Sequence, residues 1–260
     1  MVKAAFQKTV LLLCVLAYSQ GAVGAGMRVS PLMLEFDADS NSALVKVSND
    51  GLQKISVQIE ALSWSQDQSG QDQYEPTHDI VFFPRIFSVE PGDQQVIRVG
   101  YQGESATEKQ SSYRLYVQEL PVQEPGQVEM RFAVRMGIPV FTSPRKPEKA
   151  WNIGEVAITE QGFGVVVENT GNQFVRIGDI SITGRGDGGA ELFTINESGW
   201  YVLAGRSRDF VLPITGMSCE QLASVELTVT SGNQTRNKNV DVSLSLIHIS
   251  EPTRLSRKSR

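Results

Sequence analysis

The sequence predicts an all-β protein made of two antiparallel β-sandwiches in series, on three observations. Short segments in which apolar and polar residues alternate recur along the chain, and the apolar spacing of a helix is nowhere sustained. Turn signals such as Asn49-Asp50-Gly51, Pro91-Gly92-Asp93, Pro125-Gly126 and Asn169-Thr170-Gly171 separate these segments; such residues tolerate the dihedral angles of tight reversals. Residues 26–243, about 218 in number, are many for one sandwich and suit two domains of roughly 100 residues each.

The first element is a targeting segment. Lys3 and Lys8 precede an apolar run from Thr9 to Ala17, and small residues follow to Ala22-Val23-Gly24-Ala25. This is the pattern of a secretory signal peptide over residues 1–25. The run is too short to span a bilayer, and Cys14 lacks the small preceding residues of a lipoprotein site, so export without membrane insertion or lipidation is expected.

A first domain is placed at residues 26–143. Its strand signals are Ala43 to Val47, Ser56 to Ala61, Gln95 to Val99 and Tyr113 to Leu120. The strongest is Glu129 to Val140, where Met130, Phe132, Val134, Met136, Ile138 and Val140 alternate with other residues. Successive strand side chains point to opposite faces, so these six form one apolar stripe, with Arg131, Ala133, Arg135, Gly137 and Pro139 behind it. Pro139 has no N–H, which favours a sheet edge. An apolar edge is open to a partner strand and to self-association of the free protein.

Alternation stops at Ser143-Pro144-Arg145-Lys146-Pro147-Glu148-Lys149, whose two prolines make a semi-rigid connection, assigned to residues 144–152. The second half opens with Trp151 and Ile153 and supports a domain over 153–243. Its signals are Phe163 to Val167, Phe174 to Ile182, Val211 to Ile214 and a last hairpin of Ser224 to Ser231 with Lys238 to Ser243. No internal sequence repeat relates the halves. Residues 244–260, with Leu244-Ser245-Leu246-Ile247-His248-Ile249-Ser250-Glu251-Pro252-Thr253-Arg254, resemble the translation of a common sequencing adapter and are set aside.

Without its ends the chain is acidic. The 24 Lys+Arg lose Lys3, Lys8, Arg254, Arg257, Lys258 and Arg260, the 29 Asp+Glu lose Glu251, and residues 26–243 stand near −10. That disfavours nucleic-acid binding, which relies on neutralising phosphates. Cys219 is then the lone cysteine and excludes an internal disulfide. With His248 set aside, His78 is the remaining histidine, so a zinc cluster or a relay of several histidines cannot form. No Gly-x-Ser-x-Gly elbow appears, and no spacing singles out a pair of carboxylates for glycoside hydrolysis. An enzyme, a cofactor and a metal are therefore not expected. Trp64, Trp151 and Trp200 are scattered and read as core or domain-interface residues.

Several segments in order carry a resemblance: Val29-Ser30-Pro31-Leu32-Met33-Leu34, Val47-Ser48-Asn49-Asp50, Phe83-Pro84-Arg85-Ile86-Phe87-Ser88-Val89-Glu90-Pro91-Gly92, Val96-Ile97-Arg98-Val99, Tyr113-Arg114-Leu115 through Glu119-Leu120-Pro121, Ile138-Pro139-Val140-Phe141 and Val167-Glu168-Asn169-Thr170-Gly171-Asn172. Together they resemble the Pap-like periplasmic chaperones of the chaperone–usher pathway, which assemble pili and fimbriae. The resemblance implies two immunoglobulin-like sandwiches in an L or boomerang, and location in the periplasm. It implies that pilus subunits are partners, received by strand donation, and that an outer-membrane usher takes them over. Met130, Phe132, Val134, Met136 and Ile138 are then the donor residues. The family's usual pair of basic anchors falls on Met33 and Pro139, so that anchor is missing, a pattern similar to the archaic branch. Arg114, helped by Arg135, is the expected replacement, because Arg presents a bidentate fork to a carboxylate. Two other readings compete: a secreted two-domain adhesin or carbohydrate-binding protein using aromatic loop residues, and a hydrolase on a β scaffold.

Overall fold

The computed structural model describes residues 26–104, 107–121, 133–159, 161–214 and 222–242. The expectations for the signal segment, Met130, Phe132, Cys219 and residues 244–260 lie outside them. The first half contributes β1 (Met27–Ser30), β2 (Leu34–Phe36), β3 (Ser42–Asn49), β4 (Ile55–Gln66), β5 (Asp72–Pro76), β6 (Ile80–Phe83), β7 (Ile86–Val89), β8 (Gln94–Tyr101), β9 (Ser112–Leu120) and β10 (Arg135–Thr142). The second contributes β11 (Trp151–Thr159), β12 (Gly162–Asn169), β13 (Val175–Arg176), β14 (Asp179–Gly186), β15 (Glu191–Ser198), β16 (Tyr201–Val202), β17 (Ser207–Leu212), β18 (Leu222–Ser231) and β19 (Gln234–Asp241).

The alternation in the sequence becomes alternating burial. In β3, Val45 and Val47 are buried while Leu44 and Lys46 are exposed, and β9 buries Tyr113, Leu115 and Val117. These inward residues close a sandwich between a sheet ordered β1-β3-β8-β6 and a sheet ordered β2-β10-β9-β4-β5, with β7 also on β4. The pairings are antiparallel except that β2 runs parallel to β10. Each fully buried Val, Leu or Ile is worth about 1.5–3 kcal/mol.

The second sandwich packs β11-β12-β17 against β15-β14-β18-β19, with β13 and β16 as a short separate pair. Its core of Phe163, Val165, Val167, Ile180, Ile182, Leu212 and Leu227 is separate from the first core. The expected strand from Phe174 to Ile182 is divided in two. Val175 and Ile177 are buried on odd positions but Ile180 and Ile182 on even ones, so the phase changes at Gly178, where the chain leaves the β16 pairing for β15 and β18. The last hairpin forms as β18 and β19, but its second strand begins at Gln234, directly after a two-residue turn, rather than at Lys238; Gly232 in that turn is at φ 55, a left-handed position that favours glycine.

The halves share a feature that the sequence comparison of one with the other did not reveal. Buried Asn49 donates to the carbonyls of Gln53 and Val89 at 2.7 and 3.0 Å and accepts from Gly51 N–H at 3.0 Å. Buried Asn169 donates to Gln173 and Val202 at 2.7 and 2.9 Å and accepts from Gly171 N–H at 3.0 Å. Each satisfies backbone groups that would otherwise be orphaned where the chain turns out of the sandwich.

A third cluster, Trp64, Phe141, Phe174, Tyr201 and Leu203, draws on both halves. Polar groups surround it. Gln66 donates to Tyr201 carbonyl at 2.8 Å and accepts from Leu203 N–H at 2.9 Å, while Asp72 accepts from Trp200 Nε1 at 2.8 Å and pairs with Arg208 at 3.2 Å. In the connection, Asn172 donates to the Lys146 and Glu108 carbonyls and accepts from Glu148 N–H.

Candidate functional site

The open edge comes from the hydrogen-bond phase of β10. Val134 carbonyl accepts from Glu119 N–H at 2.9 Å, and Thr142 N–H donates to Ser111 carbonyl at 3.0 Å. Even-numbered residues therefore bond across to β9, and odd-numbered ones direct N–H and C=O the other way. At the far end β2 takes that side, along Val140 to Thr142, and Ser143 N–H reaches Phe36 carbonyl. Among the described residues, Arg135 to Pro139 have no strand on that side. Continuing the Leu34–Val140 register one residue back brings Met33 beside Pro139, the two positions named together from the sequence.

The apolar stripe does not stand free over the part that is described. Ile138 is 2% exposed, and both it and Val140 belong to the first core, while Val134 and Met136 are partly buried against it. The cause is the same phase: even side chains point into the sandwich, whose interior needs them. Among the described residues the strand begins at Arg135; the expected part from Glu129 to Phe132 lies outside them.

Arg114 lies on the other face of the sheet, opposite Leu62 on β4 and Pro139 on β10. The second half covers it, leaving it 6% exposed. Its guanidinium stacks 3.9 Å from the Trp64 ring and lies 5.6 and 5.7 Å from those of Tyr201 and Trp200. Nη1 donates to Gly137 carbonyl at 3.2 Å, but Nε and Nη2 are buried without partners. Arg stays charged, and a buried, incompletely bonded cation is costly. No carboxylate pairs with it among the described residues. Its two free donors match the oxygen atoms of a carboxylate.

Arg135 is on the same face but is not brought to Arg114. It sits opposite Gln118, four residues along β9 and so roughly 13 Å away along the strand. Tyr116 and Gly137 lie between: a Cβ on Gly137 would be 3.0 Å from the Tyr116 ring and 3.8 Å from Arg114 Cδ. Arg135 stacks 3.7 Å over Tyr116 and pairs with Glu60 at 2.9 Å, so its charge is already matched. Tyr74 joins the row, 6.4 Å from Trp64 and 6.0 Å from Tyr116. Burial pushes its phenol up to about 12, against the opposing pull of Arg114.

Reasoning from the sequence named Arg114 but not the aromatic residues around it, since Trp64, Tyr74, Trp200 and Tyr201 share no local motif. Trp64 and Trp151 are buried at 3% and 2%, and Trp200 is 42% exposed with its N–H held by Asp72; no row of exposed rings forms a sugar platform among them.

A family model described as "Pili and flagellar-assembly chaperone, PapD N-terminal domain" matches residues 26–148. Over these residues the chain is similar to the N-terminal domain of PapD-type assembly chaperones. The PapD-type region holds the whole open edge and Arg114. Solved structures extend the likeness to both sandwiches. A complex described as the CsuC-CsuE chaperone-tip adhesion subunit pre-assembly complex of archaic chaperone-usher Csu pili, from Acinetobacter baumannii, contains a chain of 19% identity; the match covers 82% of this chain and 97% of that one at a TM-score of 0.57. The Salmonella enterica SafA pilin complex with the SafB chaperone gives 16% identity over 83% and 95%, with a TM-score of 0.53. The E. coli chaperone DraB gives 16% over 83% and 98%, with a TM-score of 0.52. At these identities the likeness is one of fold, that of two immunoglobulin-like sandwiches. No curated protein sequence matches the chain.

Proposed function

We propose that the protein is a non-enzymatic periplasmic chaperone that captures pilus subunits by donating the edge of β10 and passes them to an outer-membrane usher. Residues 1–25 direct export, 26–143 form the subunit-binding domain, 144–152 the connection and 153–243 the second domain. The observation that carries the reading is an unpaired strand edge, Arg135 to Pro139, beside a buried guanidinium with two unpartnered donor nitrogens. An incomplete subunit would add a strand there, and its terminal carboxylate would meet Arg114. Met130, Phe132, Val134 and Met136 supply the inserted side chains, while Ile138 stays with the chaperone's own core. Four such residues contribute roughly 6–12 kcal/mol before the entropy of association is subtracted. Arg135, already matched by Glu60, steadies Tyr116 beside the site.

Native mass spectrometry of residues 26–243, recovered from the periplasm of fimbriated cells, tests this beside Phe132→Asp. A one-to-one complex with a small secreted subunit, lost in the variant, is expected. Partner-free protein in both samples would overturn the proposal.

A further inference from the structure

A cavity of about 310 Å³ opens at the junction of the two halves, with Lys109, Asp79 and Trp64 on one wall and Arg206 on the other. Lys109 lies against the turn that leads to Arg206: a Cβ on Gly205 would sit 2.9 Å from its Nζ. Neither cation pairs with a carboxylate among the described residues. The one acidic group in the lining is engaged elsewhere, since Asp79 accepts from the Tyr113 hydroxyl at 2.7 Å. Lys109 and Arg206 thus set two cationic side chains on the lining of one cavity, and an anion placed there is attracted by both.

The walls are fixed rather than adaptable. Gln110 accepts from Phe174 N–H at 2.7 Å, tying the Lys109 loop to the second half. The turn before Arg206 is held by Asn169, which donates to Leu203 carbonyl at 3.0 Å, and by Gln66, which accepts from Leu203 N–H at 2.9 Å. The ligand's surroundings are thus built before it arrives, as in small-molecule sites at domain junctions.

We propose that this cavity binds a small free oxyanion, of the phosphate or organic-acid class, between Lys109 and Arg206. Serine hydroxyls of the lining, Ser111 and Ser112 among them, supply further donors. A ligand gripped from both sides ties one sandwich to the other, and the proposal is independent of subunit capture.

The test is thermal unfolding with inorganic phosphate at constant ionic strength balanced by chloride, on the wild type, Lys109→Met, Arg206→Met and the double variant. Both side chains are exposed, so these substitutions leave the cores intact. Phosphate in large excess over its dissociation constant raises the wild-type midpoint by roughly 2–8 °C, each single variant reduces the rise, and the double variant abolishes it. Calorimetric titration of phosphate into the same four proteins gives one site per chain in the wild type and none in the double variant. No rise in the wild type, or an equal rise in the double variant, overturns the proposal.

Discussion

Arg114 is the residue at which stability and function are set against each other. Its Nε and Nη2 are buried without partners, and replacing a buried charge by an apolar side chain of similar length is often neutral or stabilising. Arg114→Met is expected to leave the free protein as stable or to raise its unfolding free energy by roughly 1 kcal/mol. It is also expected to abolish subunit capture. Urea denaturation and co-purification measure the two effects, and capture at the wild-type level would exclude Arg114 as the anchor. The neighbouring phenols give a pH signature. Burial raises Tyr74 to about 12 and raises Tyr113, which also donates to Asp79, above its ordinary value. The folded state therefore holds these protons more tightly than the unfolded chain, whose tyrosines ionise near 10. Their contribution is complete below pH 10 and declines as pH rises above it, that of Tyr74 through about 12 and that of Tyr113 later. Absorbance titration should show two late-ionising tyrosines whose transition accompanies unfolding.

At the scale of the element, β10 divides into a part that belongs to the fold and a part that serves a partner. Ile138 is fully packed in the first core and Met136 only partly. Ile138→Ala is expected to cost about 2–5 kcal/mol, whereas Met136→Ala costs less and weakens capture; chemical denaturation beside co-purification separates the two. Equal losses of stability would mean that Met136 is as much a core residue as Ile138. Most strands were legible in the sequence, because a residue facing one core must alternate with residues facing water: β3, β4, β8, β9, β12 and β18 all contain their expected segments, while β17 ends at Leu212 inside the segment expected from Val211 to Ile214. The short strands β1, β2, β13 and β16 offered too few residues for a period to show. β15 and β19 are largely polar, with most residues exposed, and β19 was found through its hairpin. Arg114 was legible only through a family resemblance, since its burial arises from Trp200 and Tyr201, which are distant in sequence. For the same reason, nothing local marked Arg135 as the partner of Glu60.

The whole molecule depends on how its two sandwiches are joined. Asp72 binds Trp200 Nε1 and Arg208 with both members of the ion pair about 15% exposed, and Gln66 bridges to Tyr201 and Leu203. Removing one member of a buried pair is expensive, so Asp72→Ala is expected to lower stability by about 3 kcal/mol and to let the sandwiches unfold in separate calorimetric transitions. Small-angle scattering of the variant should report a broader distribution of interdomain distances; an unchanged profile and a single transition would show that the aromatic cluster suffices to hold the joint. The two ends of the open edge also differ in kind. Along its outward side, Arg135 and Gly137 present N–H groups and Pro139 presents none, and Pro139 stands opposite Arg114 in register. A visiting strand thus loses its next donor at the level where the buried guanidinium lies beneath the second sandwich. The edge is a ruler with its zero mark at the joint, and a chain that runs past that mark meets the second domain instead of another rung.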